Sequence, residues 1–142
     1  MNNQNNINTK EFVLDIDLSW DSKVKDKNFI APDNSGFKIT DGVWFIPKGT
    51  EWDGTTYVPD GPEDPNKPGF PITWKASLIH DMGCRYWYYK CFPYNRRKIN
   101  KFFFQLMKEV KFEYRRLYYW GVSIYGAFLD FLYSTILRKK PC

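Results

Sequence analysis

Length, composition and charge point to one folded domain with an anionic partner. The chain has 142 residues, of which 43% are hydrophobic and 20% aromatic, values that exclude an intrinsically disordered chain and are typical of a single core. Residues 1–65 hold six basic and twelve acidic side chains, whereas residues 66–142 hold fifteen basic and four acidic ones. A basic, aromatic second half favours a phospholipid surface or nucleic acid as partner, with attraction between the two halves as the alternative explanation.

The N-terminus and the cysteines favour a reducing compartment. Residues 1–10 are polar and rich in Asn, and they lack the basic and apolar regions of a secretion signal. We expect a flexible lead-in there, followed by one domain over residues 11–142. Cys84, Cys91 and Cys142 are odd in number and contain no C-x-x-C pair, which predicts neither a disulfide framework nor a zinc site.

The first half predicts a short antiparallel sheet and then a long loop. Apolar and acidic residues alternate over residues 12–18, which predicts a strand. Three further apolar runs lie within residues 27–47, separated by Pro, Gly, Asn and Asp. Residues 53–71 contain three Gly and five Pro, which excludes helix and predicts a loop long enough to be functional.

The second half predicts three helices, so the expected fold class is α+β. The first helix begins after Pro71 and Thr73, and the second, at about residues 94–112, is amphipathic and basic. We expect these two to form an antiparallel pair that carries the functional site. A third helix is predicted at about residues 114–137.

This third helix is apolar nearly all round. One stripe contains Leu117, Gly121, Ile124, Phe128 and Phe131, and a neighbouring stripe contains Tyr118, Val122, Tyr125, Leu129 and Leu132. Asp130 is the single charge in the 21 residues between the basic ends, and inserting it into a bilayer would cost about 2.5–3.5 kcal/mol. We therefore predict a core helix rather than a membrane span, with a membrane-surface or oligomer-forming helix as the alternative.

His80 and Asp81 are the leading candidates for chemistry. His80 is the only histidine, so an imidazole base must be this residue; the alternative is a structural histidine. Asp81 points about 100° away around the helix and must serve another partner. That partner is either Arg85, four residues on, or a Ca²⁺ ion completed by the turn at Asp53 and Gly54, although Asp-Gly is also a common turn dipeptide.

These residues resemble a known family over about residues 47–126. The motifs Asp53-Gly54-Thr55 with Pro59, Ala76-x-Leu78-x-His80-Asp81, and Arg96 with Asn100, Phe103 and Met107 are similar to the phage and prophage domain-of-unknown-function family 1353. The resemblance implies a phage-associated protein, in the host cytoplasm or the virion. Arg96, Arg97 and Tyr86 are further residues that we place at the site.

The same stretch resembles, more distantly, the prokaryotic and parvoviral phospholipases A2. This resemblance implies that His80 activates water against a phospholipid ester, that Asp81, Asp53 and the Gly54 carbonyl bind Ca²⁺, and that Asn100 orients the imidazole. Both families have Asp where this chain has Asn100; in a serine-protease triad the corresponding change lowers kcat about ten-thousandfold. The implied function is a weak or degenerate Ca²⁺-dependent lipid ester hydrolase.

The aromatic residues suggest how such a protein would meet its partner. Trp87, Tyr88, Tyr89, Trp120 and Phe128 are interleaved with Lys and Arg, and they form either a lipid-binding surface or ordinary core. The alternative function is a non-catalytic virion, assembly or host-interaction protein that uses this surface. Nucleic acid is a less favoured partner, and the C-terminal helix is a candidate for homo-oligomer contacts.

Overall fold

In this computed structural model, residues 12–54 and 61–142 are described and form an α+β fold, as predicted. Three helices follow six short strands. The strands are β1 Phe12–Val13, β2 Leu18–Asp21, β3 Phe29–Ile30, β4 Lys38–Thr40, β5 Val43–Ile46 and β6 Glu51–Trp52. The helices are α1 Trp74–Tyr86, α2 Arg96–Glu109 and α3 Arg115–Thr135. The predicted lead-in at residues 1–10 lies outside the described residues.

The strands form two antiparallel sheets rather than one. β1 pairs with β6, and the larger sheet has the order β2-β5-β4-β3. The prediction of one continuous strand over residues 12–18 is wrong, because its two ends belong to different sheets. At Leu14 the backbone N donates to the Thr50 carbonyl at 2.9 Å and the carbonyl accepts from Gly49 N at 2.8 Å, after which the chain leaves β6 and crosses to β5.

The loop prediction is confirmed where it can be followed. Residues 61–71 contain no helix and only an isolated bridge between Glu63 and Pro71. Trp74 Nε1 donates to Asp64 Oδ2 at 2.9 Å, which fixes this segment to the start of α1. Residues 55–60 lie outside the described part of the chain.

The helices α1 and α2 form the predicted antiparallel pair and cross closely at Gly83. A Cβ added at Gly83 would lie 2.7 Å from Ile99 Cγ2, so only glycine allows this separation. Asn95 caps α2, and its side-chain oxygen accepts from Lys98 N at 2.8 Å. The crossing aligns the middle of α1 with the first turns of α2.

The helix α3 is not the core helix that we predicted. Tyr118 and Gly126 are buried and Val122 is half-buried, so this face packs on α2. The stripe that begins at Leu117 faces outward, with Leu117 60% exposed and Phe128 58% exposed. Within the described residues, no helix combines the length and the apolar character needed to cross a membrane.

The C-terminal segment is fastened to the connection between α1 and α2. Cys91 and Cys142 form a disulfide, with their Cα atoms 5.9 Å apart. Lys140 N donates to the Tyr88 carbonyl at 2.7 Å, and Lys140 O accepts from Lys90 N at 2.9 Å. We predicted no disulfide framework; the structure has this single cross-link, whose cysteines lie 51 residues apart in sequence.

Candidate functional site

The structure brings His80 and Asn100 together across the α1–α2 interface. His80 Nε2 lies 2.9 Å from Asn100 Oδ1, and Asn100 is 3% exposed. The Asn100 amide also reaches α3, where Nδ2 donates to the Val122 carbonyl at 3.3 Å. Three helices thus meet at one buried amide.

This arrangement determines the tautomer of His80. A backbone carbonyl only accepts hydrogen bonds, so the NH₂ group of Asn100 must face Val122 and its oxygen must face His80. Asn100 Oδ1 then accepts from a protonated Nε2, and Nδ1 carries the lone pair. A neutral amide at position 100 therefore selects the tautomer in which Nδ1 is the base.

The surroundings of the ring keep it neutral. The ring centroid of Phe103 lies 4.7 Å from that of His80. Burial lowers the pKa of His80 from 6.5 to about 4, the hydrogen bond to Asn100 opposes this shift, and the positive charge of Arg96 adds to it. At neutral pH the imidazole is therefore uncharged and can accept a proton, but it is a weak base.

Cys84, one helical turn from His80, was not identified from the sequence. Its Sγ lies 3.7 Å from both ring nitrogens of His80. Burial raises the pKa of the Cys84 thiol to about 11, so at neutral pH it is protonated and is not a thiolate nucleophile. The i, i+4 spacing to His80 was the available signal, because such residues share a helix face.

Asp81 is paired with Arg85, as the simpler of our two hypotheses predicted. The distance from Arg85 Nη2 to Asp81 Oδ2 is 3.3 Å, and the same nitrogen donates to the Glu51 carbonyl at 2.7 Å. Burial raises the pKa of Asp81, Arg85 lowers it, and the negative charge of Asp53 raises it. Asp53 is therefore close enough to act on Asp81.

The predicted calcium turn lies at the edge of the described chain. Asp53 is exposed and Gly54 has a φ of +70°, a left-handed conformation that glycine adopts without strain. Thr55 lies outside the described residues. Over residues 12–54 and 61–142 no three His, Cys, Asp or Glu side chains are grouped to hold a metal ion.

The three further candidates occupy different places. Arg96 is 3% exposed, with its guanidinium 5.5 Å from the Trp87 ring centroid. Among the residues that the structure describes, its Nε has no hydrogen-bond partner. Arg97 is exposed and lines a surface pocket of about 440 Å³ with Lys98 and Lys101. Tyr86 is 1% exposed and its hydroxyl donates to Asp33 Oδ2 at 2.7 Å, so it belongs to the core.

Comparison with known proteins gives no match. No family model, curated protein or solved structure matches this chain. The family resemblance seen in the motifs stays a prediction.

The aromatic residues proposed as a surface divide into two groups. Trp87 is 3% exposed and packs under Lys139, whose Nζ lies 4.3 Å from the ring centroid, and Tyr88 and Tyr89 are half-buried. Trp120 and Phe128 are 65% and 58% exposed. The exposed aromatic surface therefore lies on α3 and not at the end of α1.

Proposed function

We propose that the protein is a phage-associated, phospholipase A2-like ester hydrolase of weak activity, with His80 as general base. The supporting observation is the chain of hydrogen bonds from His80 Nε2 through the Asn100 amide to the Val122 carbonyl. It leaves Nδ1 as the proton acceptor, and an oriented, neutral imidazole is what water activation requires. The phage association, in the host cytoplasm or the virion, rests on the motif resemblance.

The reaction follows from the position of that nitrogen. Nδ1 takes a proton from a water molecule as the water oxygen attacks the ester carbonyl carbon. The ester C–O bond then breaks, and the departing alkoxide receives the proton back from the imidazolium. A pKa of about 4 for His80 and the absence of charge on Asn100 leave the imidazolium poorly stabilised, so turnover should be slow.

Asp81, the neighbour of His80 in sequence, and Asp53 have the donor chemistry of a Ca²⁺ site. Asp81 and Asp53 are carboxylates that interact electrostatically, and the Gly54 carbonyl adds an uncharged oxygen of the kind calcium accepts. Bound Ca²⁺ would supply a Lewis acid for the ester carbonyl. Arg85 holds one Asp81 oxygen, so the Arg85 side chain must give way for Asp81 to serve as a ligand.

Asn100→Asp is the test of the catalytic role. A carboxylate at this position should raise the pKa of His80 by about 1–3 units and raise the rate of fatty-acid release from phosphatidylglycerol vesicles by roughly tenfold or more. His80→Gln, which keeps a donor toward residue 100, should remove the activity, and chelating Ca²⁺ should do the same. Because Asn100 is buried, the NMR signals of the His80 ring in Asn100→Asp serve as the control that the site has folded.

A second candidate function is a non-catalytic virion, assembly or host-interaction protein. The Arg85 contacts to Asp81 and to the Glu51 carbonyl favour it, because they explain Asp81 without a metal ion. Calorimetric titration with Ca²⁺ separates the two. No heat of binding, together with no ester release from native protein or from Asn100→Asp, would leave the non-catalytic function as the explanation.

A further inference from the structure

The outward face of α3 is an apolar stripe that is exposed on the described surface. We call it the α3 outer face. Its members are 54–65% exposed and, apart from the adjacent pair Ile124 and Tyr125, recur three or four residues apart. They are Leu117, Trp120, Ile124, Tyr125, Phe128 and Phe131. A Cβ added at Gly121, which lies within the stripe, would meet no atom within 4 Å. At a rise of about 1.5 Å per residue the stripe runs for about 21 Å.

Such a stripe is costly to leave in water. Scattered apolar residues on a surface are ordinary, but a continuous apolar strip rimmed by polar groups marks a binding surface. Trp120 and Tyr125 combine a large apolar ring with a polar atom, which is the side-chain type enriched where one end is wet and the other is not. The face therefore has the chemistry of a water–lipid boundary.

Basic residues flank this face in the sequence at both ends. Arg115 and Arg116 precede it and Arg138 follows it, whereas Lys139 packs over the Trp87 ring. The single acidic residue between Arg116 and Arg138, Asp130, is half-buried. Arg116 and Arg138 are both exposed. Anionic headgroups would neutralise both ends at once, at about 1 kcal/mol for each basic residue near the surface.

The same charges disfavour a second copy of the chain as occupant. If two α3 outer faces paired in antiparallel orientation, the exposed Arg116 of one copy would lie at the same end as the exposed Arg138 of the other. Parallel pairing would place identical basic ends side by side. Both arrangements bring like charges together.

We propose that the α3 outer face docks the protein on an anionic phospholipid surface, with α3 lying in the plane of the headgroups. An interfacial helix of this kind sinks its apolar face into the boundary between headgroups and acyl chains and leaves its polar surroundings in water. The site at His80 is not needed for docking. The inference rests on the phospholipid partner of the proposed function, but docking on the lipid surface and hydrolysis of the ester are tested separately.

The test is flotation of the full-length protein with vesicles whose phosphatidylcholine and phosphatidylglycerol carry ether-linked chains, so that hydrolysis is impossible. Ile124→Ser with Phe128→Ser should weaken partitioning into the vesicles by roughly a hundredfold. Each side chain contributes about tenfold, because docking buries the half of it that is exposed to water in the free protein. The matched control is Ile16→Ser with Ile30→Ser, since these side chains are 59% and 80% exposed but lie outside α3. This control should bind as the native protein does.

A second part of the experiment tests the contribution of the basic side chains to vesicle binding. Arg116→Gln with Arg138→Gln should weaken binding, and about 1 M salt should do the same, because the Debye length falls to about 3 Å. The α3 variants should melt at the native temperature, as their side chains are more than half exposed. Vesicle binding that is unchanged in the Ile124 and Phe128 variant overturns the proposal. Failure of the native protein to bind the vesicles also overturns it. This holds if the native protein is a monomer in ultracentrifugation, and equally if it is a dimer that the Ile124 and Phe128 variant dissociates.

Discussion

The neutrality of His80 predicts how the stability of the protein depends on pH. Because burial lowers the pKa of His80 in the folded protein to about 4, the unfolded chain binds a proton near pH 6.5 that the folded chain does not. Stability from this source is fully present above about pH 6.5 and is lost as the pH falls toward 4. A loss of stability on acidification is the direction expected for a histidine that stays uncharged in the folded protein.

The size of the effect follows from the two pKa values. Between about pH 7 and pH 5, a shift from 6.5 to about 4 corresponds to about 2 kcal/mol of unfolding free energy. The His80 ring is half-buried, and its solvent contact reduces the expected loss to about 1–2 kcal/mol. Other groups titrate in the same window, so the difference from a variant without histidine is the quantity to measure.

Urea denaturation of native protein and of His80→Gln at both pH values gives this difference. The native protein should lose about 1–2 kcal/mol more than His80→Gln on acidification. Since His80 is the only histidine, its ring protons can also be followed by NMR without assignment. A pKa of His80 near or above 6.5 in the folded protein would refute the uncharged imidazole. Equal pH dependence of the unfolding free energy in the two proteins would refute it as well.

Two further predictions concern the packing that holds the site. Gly83→Ala should destabilise the protein by about 1–2 kcal/mol in urea, because the Ile99 clash at 2.7 Å outweighs a helix-propensity gain of about 1 kcal/mol; a more stable variant would show that α1 and α2 separate freely. Cys142→Ser should lower the free energy of unfolding by about 2–4 kcal/mol through loss of the Cys91 cross-link. The reduced native protein should match this variant, and no effect of reductant on its melting temperature would contradict the cross-link.

The elements were predictable where one local pattern determined them. Helical spacing located α1, α2 and α3 to within a few residues, and the turn residues after Ile30 and Thr40 separated β3, β4 and β5. The strand at residues 12–18 was divided by non-local bonds, since Leu14 pairs with Thr50 and Gly49. Alternation along seven residues carries no information about which strand lies beside them.

The direction of α3 was not predictable from its own residues. Both of its stripes are apolar, so periodicity gives two equivalent candidates for the buried face. The difference is made by α2, against which Val122 and Gly126 allow close approach: a Cβ at residue 126 would lie 3.2 Å from Asn100 Nδ2. The disulfide was inaccessible for a related reason, because spacing alone does not pair cysteines.

The inward and outward faces of α3 differ in what they contact. On the inward face, Val122 O orients the Asn100 amide, and that amide selects the proton position on His80. On the outward face, the side chains of the apolar stripe are more than half exposed. Because Val122 belongs to the same helix as that stripe, a force that moves α3 relative to α2 would reach His80 through two hydrogen bonds, one on each side of the Asn100 amide. Gly126, which has no side chain, keeps α2 and α3 close enough for the hydrogen bond between Asn100 Nδ2 and the Val122 carbonyl to form.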